Sequence, residues 1–161
     1  MEPLKLPPSI VGQVDIIRLS RELSALSDFF VGAQARESGT PVQPPQTSRS
    51  LELLAKENGI SLLDEKSRDQ LLKQLEEIGR NAPSFHISFA VEASPKSLER
   101  ILVWLRQNIH PQVLLQVGLQ PAIAGGCILR TTNRILDLSL RSKLNSETEY
   151  LSKLISGAVN G

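Results

Sequence analysis

The sequence predicts an α+β fold, in which a helical amino-terminal region is joined to a small mixed-sheet domain ordered strand, helix, strand, hairpin, helix. Three observations favour this class. Apolar residues recur at helical spacing in the first half of the chain, a period-two pattern occupies residues 85–91, and a Gly-Gly loop and a polar turn separate short apolar runs near residues 125–139. We expect the domain boundary at Pro83, which gives domains at residues 1–83 and 84–161.

The first predicted helix covers residues 13–34. Its apolar residues are spaced three, four, three and four positions apart, which places them on one side of a helix. They are Ile16, Leu19, Leu23, Leu26 and Phe30. The same spacing is found in a coiled-coil seam, so packing against the chain's own core and packing against a partner helix both remain open.

Residues 36–50 are predicted to form a flexible linker, because one glycine and three prolines interrupt any regular structure there. Two shorter helices should follow. One is expected over residues 51–56, and the other begins after Ser61, where Ser61 and Asp64 resemble a capping box with Asp in place of Glu. The second helix should end at residues 81–83.

The carboxy-terminal region alternates strands and helices. Phe85, Ile87, Phe89 and Val91 predict a strand with one buried face, and Ser94-Pro95 supplies the start of a helix. A second strand is expected over residues 112–119, followed by a hairpin around Asn133. A final helix should begin near Ser139, with its leucines on the buried side. These leucines are Leu140, Leu144, Leu151 and Leu154.

Composition excludes several classes of protein. The formal net charge of +1 argues against a dedicated nucleic-acid-binding protein, and the single Cys127 excludes an internal disulfide framework. The opening residues MEPLKLPPS lack the apolar stretch of a signal peptide. The longest apolar run, residues 101–105, is far shorter than the roughly 20 residues that cross a bilayer. We therefore expect a cytosolic protein, unless another protein holds it at a membrane.

A search for catalytic or metal-binding groups finds no convincing set. Neither His86 nor His110 has a neighbour at metal-ligand spacing, and Cys127 lies in an alternating pattern typical of a buried structural thiol. Asp137 and Ser139 share a strand face, but no Gly-x-Ser-x-Gly motif surrounds the serine. We expect Asp137 to satisfy nearby backbone N–H groups and Ser139 to cap the final helix. No catalytic residue, cofactor or metal is predicted.

Three further residues are predicted to have structural roles. Gly125 and Gly126 permit backbone angles that a side chain forbids, and no Gly-Lys-Ser/Thr follows them as a phosphate-binding loop would require. Asn133 tolerates the left-handed conformation that a tight hairpin needs. These positions therefore predict turns rather than a ligand site.

The candidates for partner binding are basic residues and one aromatic residue. Arg134, Arg141 and Lys143, with Arg130 nearby, form the one basic cluster of interest. This cluster can dock an acidic helix, can bind a phosphate backbone, or can be a solvated face without a ligand. Trp104 lies off the main apolar stripe of its helix, so it either covers the edge of the core or anchors a partner.

The stretch from Pro121 to Leu144 resembles the carboxy-terminal signature of the F-type ATP synthase delta subunit, which is called the oligomycin-sensitivity conferral protein in mitochondria. The likeness extends from about residue 85 to residue 144 and includes the order of strands and helices. The chain departs from the usual pattern at Gln120, at Thr132-Asn133 and at Ser142. The matching residues are Pro121, Ile123, Gly125, Gly126, Arg130, Arg134, Ile135, Asp137, Ser139, Arg141, Lys143 and Leu144.

The resemblance implies a non-catalytic stator subunit that links the catalytic head of an ATP synthase to its peripheral stalk. Its partners would be the b subunit and the alpha subunits, and it would lie at the cytoplasmic face of the cell membrane as a peripheral protein. The amino-terminal region is shorter than the six-helix bundle of that family, so a shortened or rearranged bundle is expected. The alternative is a small cytosolic nucleic-acid-binding module that uses the basic carboxy-terminal face, which the few aromatic residues disfavour.

Overall fold

The computed structural model describes residues 3–34, 45–123, 125–131, 133–142 and 145. Within these ranges it confirms the predicted α+β class, with helices and a four-stranded mixed sheet. A single turn of 3-10 helix, Pro121–Ile123, follows the second strand. The remaining elements are α1 Gln13–Gln34, α2 Arg49–Glu57, α3 Glu65–Asn81, β1 Ser84–Phe89, α4 Pro95–Asn108, β2 Leu114–Leu119, β3 Gly126–Arg130 and β4 Ile135–Ser139.

Contacts between residues divide the chain into two compact units. The first combines Met1–Pro83 with Glu99–Leu114, and the second combines Ser84–Leu98 with Leu115–Gly161. One unit boundary therefore falls at the predicted position, after Pro83, but most of α4 groups with the amino-terminal helices. A division into domains at residues 1–83 and 84–161 stays a prediction. Most of the predicted linker, residues 36–44, lies outside the described residues.

The core of the first unit is built from aliphatic side chains. The predicted apolar edge of α1 faces this core, and α1 packs against α3. Phe30, at the end of that edge, is only half-buried. The helical spacing of α1 is thus explained by packing within its own unit. The core residues are Leu4, Leu6, Ile10, Ile16, Leu19, Leu23, Leu51, Leu54, Leu71, Leu75, Ile78 and Leu114.

Polar side chains fix where α2 and α3 begin. Ser48 Oγ accepts a hydrogen bond from the backbone N–H of Leu51 at 3.3 Å and caps α2. Asp64 Oδ2 accepts from the backbone N–H of Ser67 at 2.9 Å and caps α3. The predicted capping box that starts at Ser61 is therefore wrong. Asp64 itself is the N-cap, because the chain turns between Ser61 and Asp64 before the helix begins.

The second unit contains the sheet, with strand order β2-β1-β3-β4. β3 pairs antiparallel with both β1 and β4. The predicted hairpin joins β3 to β4, and the N–H of Thr131 donates to the carbonyl oxygen of Arg134 at 2.8 Å to close its turn. The buried apolar side chains of this unit are Phe85, Ile87, Leu115 and Ile123. Val91, predicted to lie on the buried face of the strand, is 73% exposed because β1 ends at Phe89.

The start of the final helix differs from the expectation in one respect. Residues 140–142 and 145 are helical, as predicted. Leu140 was expected to be buried, but its side chain is 53% exposed. It lies beside the Gly125 backbone at the first turn of the helix, where the carbonyl oxygen of Gly125 accepts from the N–H of Leu140 at 2.9 Å. The other three predicted core leucines, at 144, 151 and 154, lie outside the described residues.

Candidate docking surface

An exposed apolar surface lies along the edge of the sheet in the second unit. Leu136 and Leu138 on β4 stand opposite Leu129 and Cys127 on β3, so the four side chains share one face. We call these four residues the apolar strip. Leu136 is 48% exposed and Leu138 is 63% exposed. Among the described strands β4 is the last of the sheet, so this strip also adjoins a strand edge there, and proteins commonly pair with a partner at such an edge.

The predicted basic residues lie at the two ends of β4. Arg134 directly precedes the strand and Arg141 follows it by two residues, and both side chains are exposed. A five-residue strand is roughly 17 Å long, so the two arginines flank the apolar strip and do not form one cluster. Arg130 is opposite Ile135 at the hairpin end. Lys143 lies outside the described residues.

Trp104 belongs to the first unit and lies on α4. Its side chain is 57% exposed, whereas Leu102 and Leu105 on the same helix are buried. The sequence left two roles open for Trp104, coverage of the core edge and anchoring of a partner, and this exposure favours the second. An aromatic side chain that is accessible to solvent is a suitable anchor for a partner.

Gly126 allows the backbone to pass close to β4. Its φ angle is +81°, in the left-handed region, and a Cβ atom at this position would collide with the carbonyl oxygen of Leu138. Gly126 is paired with Ser139 in the sheet, so this close approach fixes the end of β4 and the start of the following helix.

Asp137 and Ser139 are engaged with the backbone. Asp137 Oδ1 accepts from the N–H of Ser139 at 2.9 Å, and Ser139 Oγ accepts from the N–H of Ser142 at 3.1 Å. The pKa of Asp137 is lowered by the hydrogen bonds from the Ser139 side chain and backbone, and to a smaller degree by the positive charge of Arg141. Asp137 and Ser139 thus stabilise the end of β4 and the start of the helix that follows it.

An open cleft of about 340 Å³ adjoins these two residues, and Gln120, Ile128 and Arg141 also line it. Asp137 Oδ1 and Ser139 Oγ each already accept a hydrogen bond from a backbone N–H. Burial raises the pKa of the half-buried Cys127 thiol, which lowers its reactivity. Cys127 does not line this cleft, and Asp137 and Ser139, which do, hydrogen-bond to the backbone.

The described part of the chain shows neither a metal-binding cluster nor a membrane-spanning helix. Within it, no group of three or more His, Cys, Asp and Glu residues is placed to hold a metal ion. No helix in the same ranges is long and apolar enough to cross a membrane.

Sequence reasoning did not identify the apolar strip. It treated residues 135–136 as a short apolar run without deciding which side chains would be exposed. The sequence did contain an indication of this strip. Apolar residues lie on both faces of β4, with Ile135 on one face and Leu136 and Leu138 on the other, whereas a strand with one solvated face alternates apolar and polar residues. Sequence reasoning also missed Arg106, whose contacts join residues that are far apart in the chain.

Comparison with known proteins identifies a family. The family model described as ATP synthase delta (OSCP) subunit matches residues 36–151. The ATP synthase subunit delta of Rhodopseudomonas palustris strain TIE-1 is 37% identical over 60 residues, which are 37% of this chain and 32% of that protein. The subunit of the same name from Bradyrhizobium sp. strain ORS 278 is also 37% identical over 60 residues, with the same coverage.

A bacterium of a third genus gives a similar match. The ATP synthase subunit delta of Roseiflexus castenholzii is 33% identical over 58 residues, which are 36% of this chain and 37% of that protein. The chain thus covers about a third of the length of the relatives it matches.

Proposed function

The chain belongs to the ATP synthase delta (OSCP) subunit family, and we propose that it is a non-catalytic stator subunit of an F-type ATP synthase. In this role it joins the catalytic head to the peripheral stalk and resists the torque of the rotor. The family match over residues 36–151 is the observation that carries the proposal.

We assign the stalk contact to the second unit. The apolar strip offers Leu136 and Leu138 to a partner, and Arg134 and Arg141 add positive charge at its two ends. This arrangement fits an amphipathic helix whose apolar face is bordered by acidic residues. The proposed partner is the carboxy-terminal segment of the b subunit.

We assign the contact with the alpha subunits to the first unit. The inner side of α1 is used by the core, but Val14, Ile17 and Val31 on the same helix are 73%, 45% and 56% exposed. The helical period places these three residues on one side of α1, away from the core. Arg21, Ser24 and Asp28 separate Val31 from the other two on this side, so the exposed apolar contact for a partner helix is Val14 with Ile17 at the start of α1. Trp104 on α4 is a second exposed anchor in this unit.

We also propose where the chain is located and that its role is non-catalytic. As a component of the complex, the chain would lie at the cytoplasmic face of the cell membrane and be held there by its partners. Its role needs no catalytic group, since a stator subunit acts through binding alone.

Purification of the tagged full-length chain at native expression level, in mild detergent, tests the proposal. We expect the alpha, beta and b subunits of ATP synthase to co-purify in constant ratio. A variant with Leu136→Asp and Leu138→Asp, which disrupts the apolar strip, should fail to co-purify the b subunit. Recovery of the chain with nucleic acid, and without any ATP synthase subunit, would overturn the proposal and favour the nucleic-acid-binding alternative.

A further inference from the structure

Residues 3–10 cross the first unit in a conformation that is neither helix nor strand, and we call them the amino-terminal strap. Three of their side chains enter the core: Leu4 is 4% exposed, Leu6 is 8% exposed and Ile10 is fully buried. Pro7 is also among the fully buried residues. Within the strap one backbone hydrogen bond forms, from the N–H of Ile10 to the carbonyl oxygen of Pro7 at 3.0 Å.

Asn58 binds the first half of the strap through the backbone. Its Oδ1 accepts from the N–H of Lys5 at 2.9 Å, and its Nδ2 donates to the carbonyl oxygen of the same residue at 2.9 Å. One side-chain amide thus satisfies both backbone groups of one residue, as a neighbouring strand would do. This contact does not depend on the identity of the Lys5 side chain.

Arg106 binds the second half of the strap, also through the backbone. Its Nη1 donates to the carbonyl oxygens of Leu6 at 2.9 Å and Pro7 at 3.0 Å, and its Nη2 donates to that of Ile10 at 2.6 Å. Its Nε and Nη2 also donate to the carbonyl oxygen of Val113, both at 3.2 Å. The guanidinium therefore binds three carbonyl oxygens of the strap. It also binds the carbonyl oxygen of Val113, in the segment between α4 and β2.

Burial lowers the pKa of Arg106 to about 10, and the charge of Glu57 opposes that change. Because this value is still well above neutral pH, the guanidinium is charged there. A charged donor strengthens each of its hydrogen bonds to the strap carbonyls.

These contacts have the two features by which proteins recognise an extended peptide. Side chains of the host form hydrogen bonds with main-chain groups of the bound segment, and apolar side chains of that segment fill pockets of the host. Two open clefts, of about 390 Å³ and 270 Å³, flank the first residues of the strap, and Pro3 and Leu4 line both of them. At this end of the strap Pro3 is exposed, whereas the Leu4 side chain is buried.

The rest of the first unit does not depend on the strap for its main helix contact. α1 packs directly against α3, and Gly12 lies between the strap and the start of α1. The strap can therefore leave its groove while the contact between α1 and α3 persists, which is the geometry of segment exchange between identical chains.

We propose that Asn58, Arg106 and the surrounding apolar pockets form a peptide-binding groove, which the strap occupies in cis and which accepts the strap of a second copy of this chain. The ligand is an extended peptide with the pattern Leu-x-Leu-Pro-x-x-Ile, because Leu4, Leu6, Pro7 and Ile10 are the buried strap residues.

A synthetic peptide of residues 3–12, labelled at its carboxyl end, tests this proposal by fluorescence anisotropy. The host is the full chain with Leu6→Asp, which disables its own strap. We expect the peptide to bind this variant about tenfold or more tightly than the wild-type chain, whose tethered strap competes at high effective concentration. Adding Arg106→Met to the host should abolish binding, whereas adding the surface change Arg18→Met should not.

Absence of peptide binding to a folded Leu6→Asp chain would overturn the proposal, and so would equal binding of a peptide with scrambled sequence. Hydrogen exchange of the wild-type chain decides the case in which the Leu6→Asp chain does not fold. The amides of Lys5 and Ile10 should then exchange at least about tenfold faster than those of Leu23 and Leu71, because the strap opens without unfolding α1 and α3. Exchange of all four amides at the rate of global unfolding would refute the proposal.

Discussion

The guanidinium carbon of Arg68, on α3, lies 4.6 Å from the centroid of the Phe30 ring, on α1. The same guanidinium donates from Nε to Ser27 Oγ at 3.1 Å, and from Nη1 to the carbonyl oxygens of Leu62 at 3.0 Å and Leu63 at 2.9 Å. The Arg68 side chain is almost completely buried. A single residue thus ties α1 to α3 and to the turn that precedes α3.

We predict that Arg68→Met lowers the free energy of unfolding by about 1–3 kcal/mol, because it removes the hydrogen bonds from the guanidinium to Ser27 and to the Leu62 and Leu63 carbonyl oxygens, together with the cation–π contact. Arg18→Met is the control, since the exposed pair between Arg18 and Asp15 should contribute no more than about 1 kcal/mol. Urea denaturation of both variants measures the difference. Equal effects of the two substitutions would contradict the role assigned to Arg68.

We predict that Gly126→Ala destabilises the chain, by about 1–3 kcal/mol, because the left-handed φ angle is strained for alanine and the new Cβ collides with the Leu138 carbonyl. Gly32→Ala is the matched control. It lies within α1 with nothing within 4 Å of an added Cβ, so alanine should stabilise the helix by about 0.5–1 kcal/mol. Thermal unfolding should shift in opposite directions for the two variants, and a shift in the same direction would refute the prediction.

Asp64 gives a prediction about pH. Its pKa lies below the ordinary value of 3.8, because the side chain and then the backbone N–H of Ser67 donate hydrogen bonds to the carboxylate. A lowered folded-state pKa means that the cap contributes stability above pH 3.8 and that this contribution is lost as the pH falls through the lower, folded-state value. Asp64→Asn keeps a capping oxygen that does not titrate.

The difference in unfolding temperature between the wild type and Asp64→Asn should therefore shift in favour of the variant as the pH falls from about 6 to about 2.5. Asp69→Asn, an exposed carboxylate on α3, is the control and should show less of this trend. A pH-independent difference for Asp64→Asn would show that the ionised cap does not contribute.

The sequence predicted local elements better than contacts between distant residues. The bounds of α1 follow from apolar spacing, and the hairpin around Asn133 follows from a polar turn between two apolar runs. Arg106 could not be found in this way, because its partners Leu6 and Pro7 lie 100 and 99 positions away and are bound through carbonyls that any residue carries. The sequence did not distinguish Ser61 from Asp64 as the N-cap of α3, because serine and aspartate both favour that position.

The docking surface was predicted only in part for a related reason. Basic residues near residues 130–143 were evident in the sequence, but their separation by β4 depends on where the strand begins and ends. The exposure of Leu136 and Leu138 depends on which elements cover the sheet, and side-chain alternation alone does not specify that.

The central claim, that the second unit binds the peripheral stalk, is tested most directly by binding of the purified chain to the carboxy-terminal segment of the ATP synthase b subunit. Three variants are compared with the wild type: Leu136→Asp with Leu138→Asp; the charge reversal Arg134→Glu, Arg141→Glu and Lys143→Glu; and a control reversal of the same size, Arg18→Glu, Lys66→Glu and Arg80→Glu. Circular dichroism first establishes that each variant is folded.

We expect the apolar-strip variant to lose binding at all salt concentrations. The charge reversal should weaken binding at least about tenfold at low salt and less at moderate salt, because like charges slow association and salt screens them. The control reversal should bind as the wild type does. Wild-type affinity for both the strip variant and the Arg134, Arg141 and Lys143 reversal, each correctly folded, would contradict the claim that this surface binds the stalk.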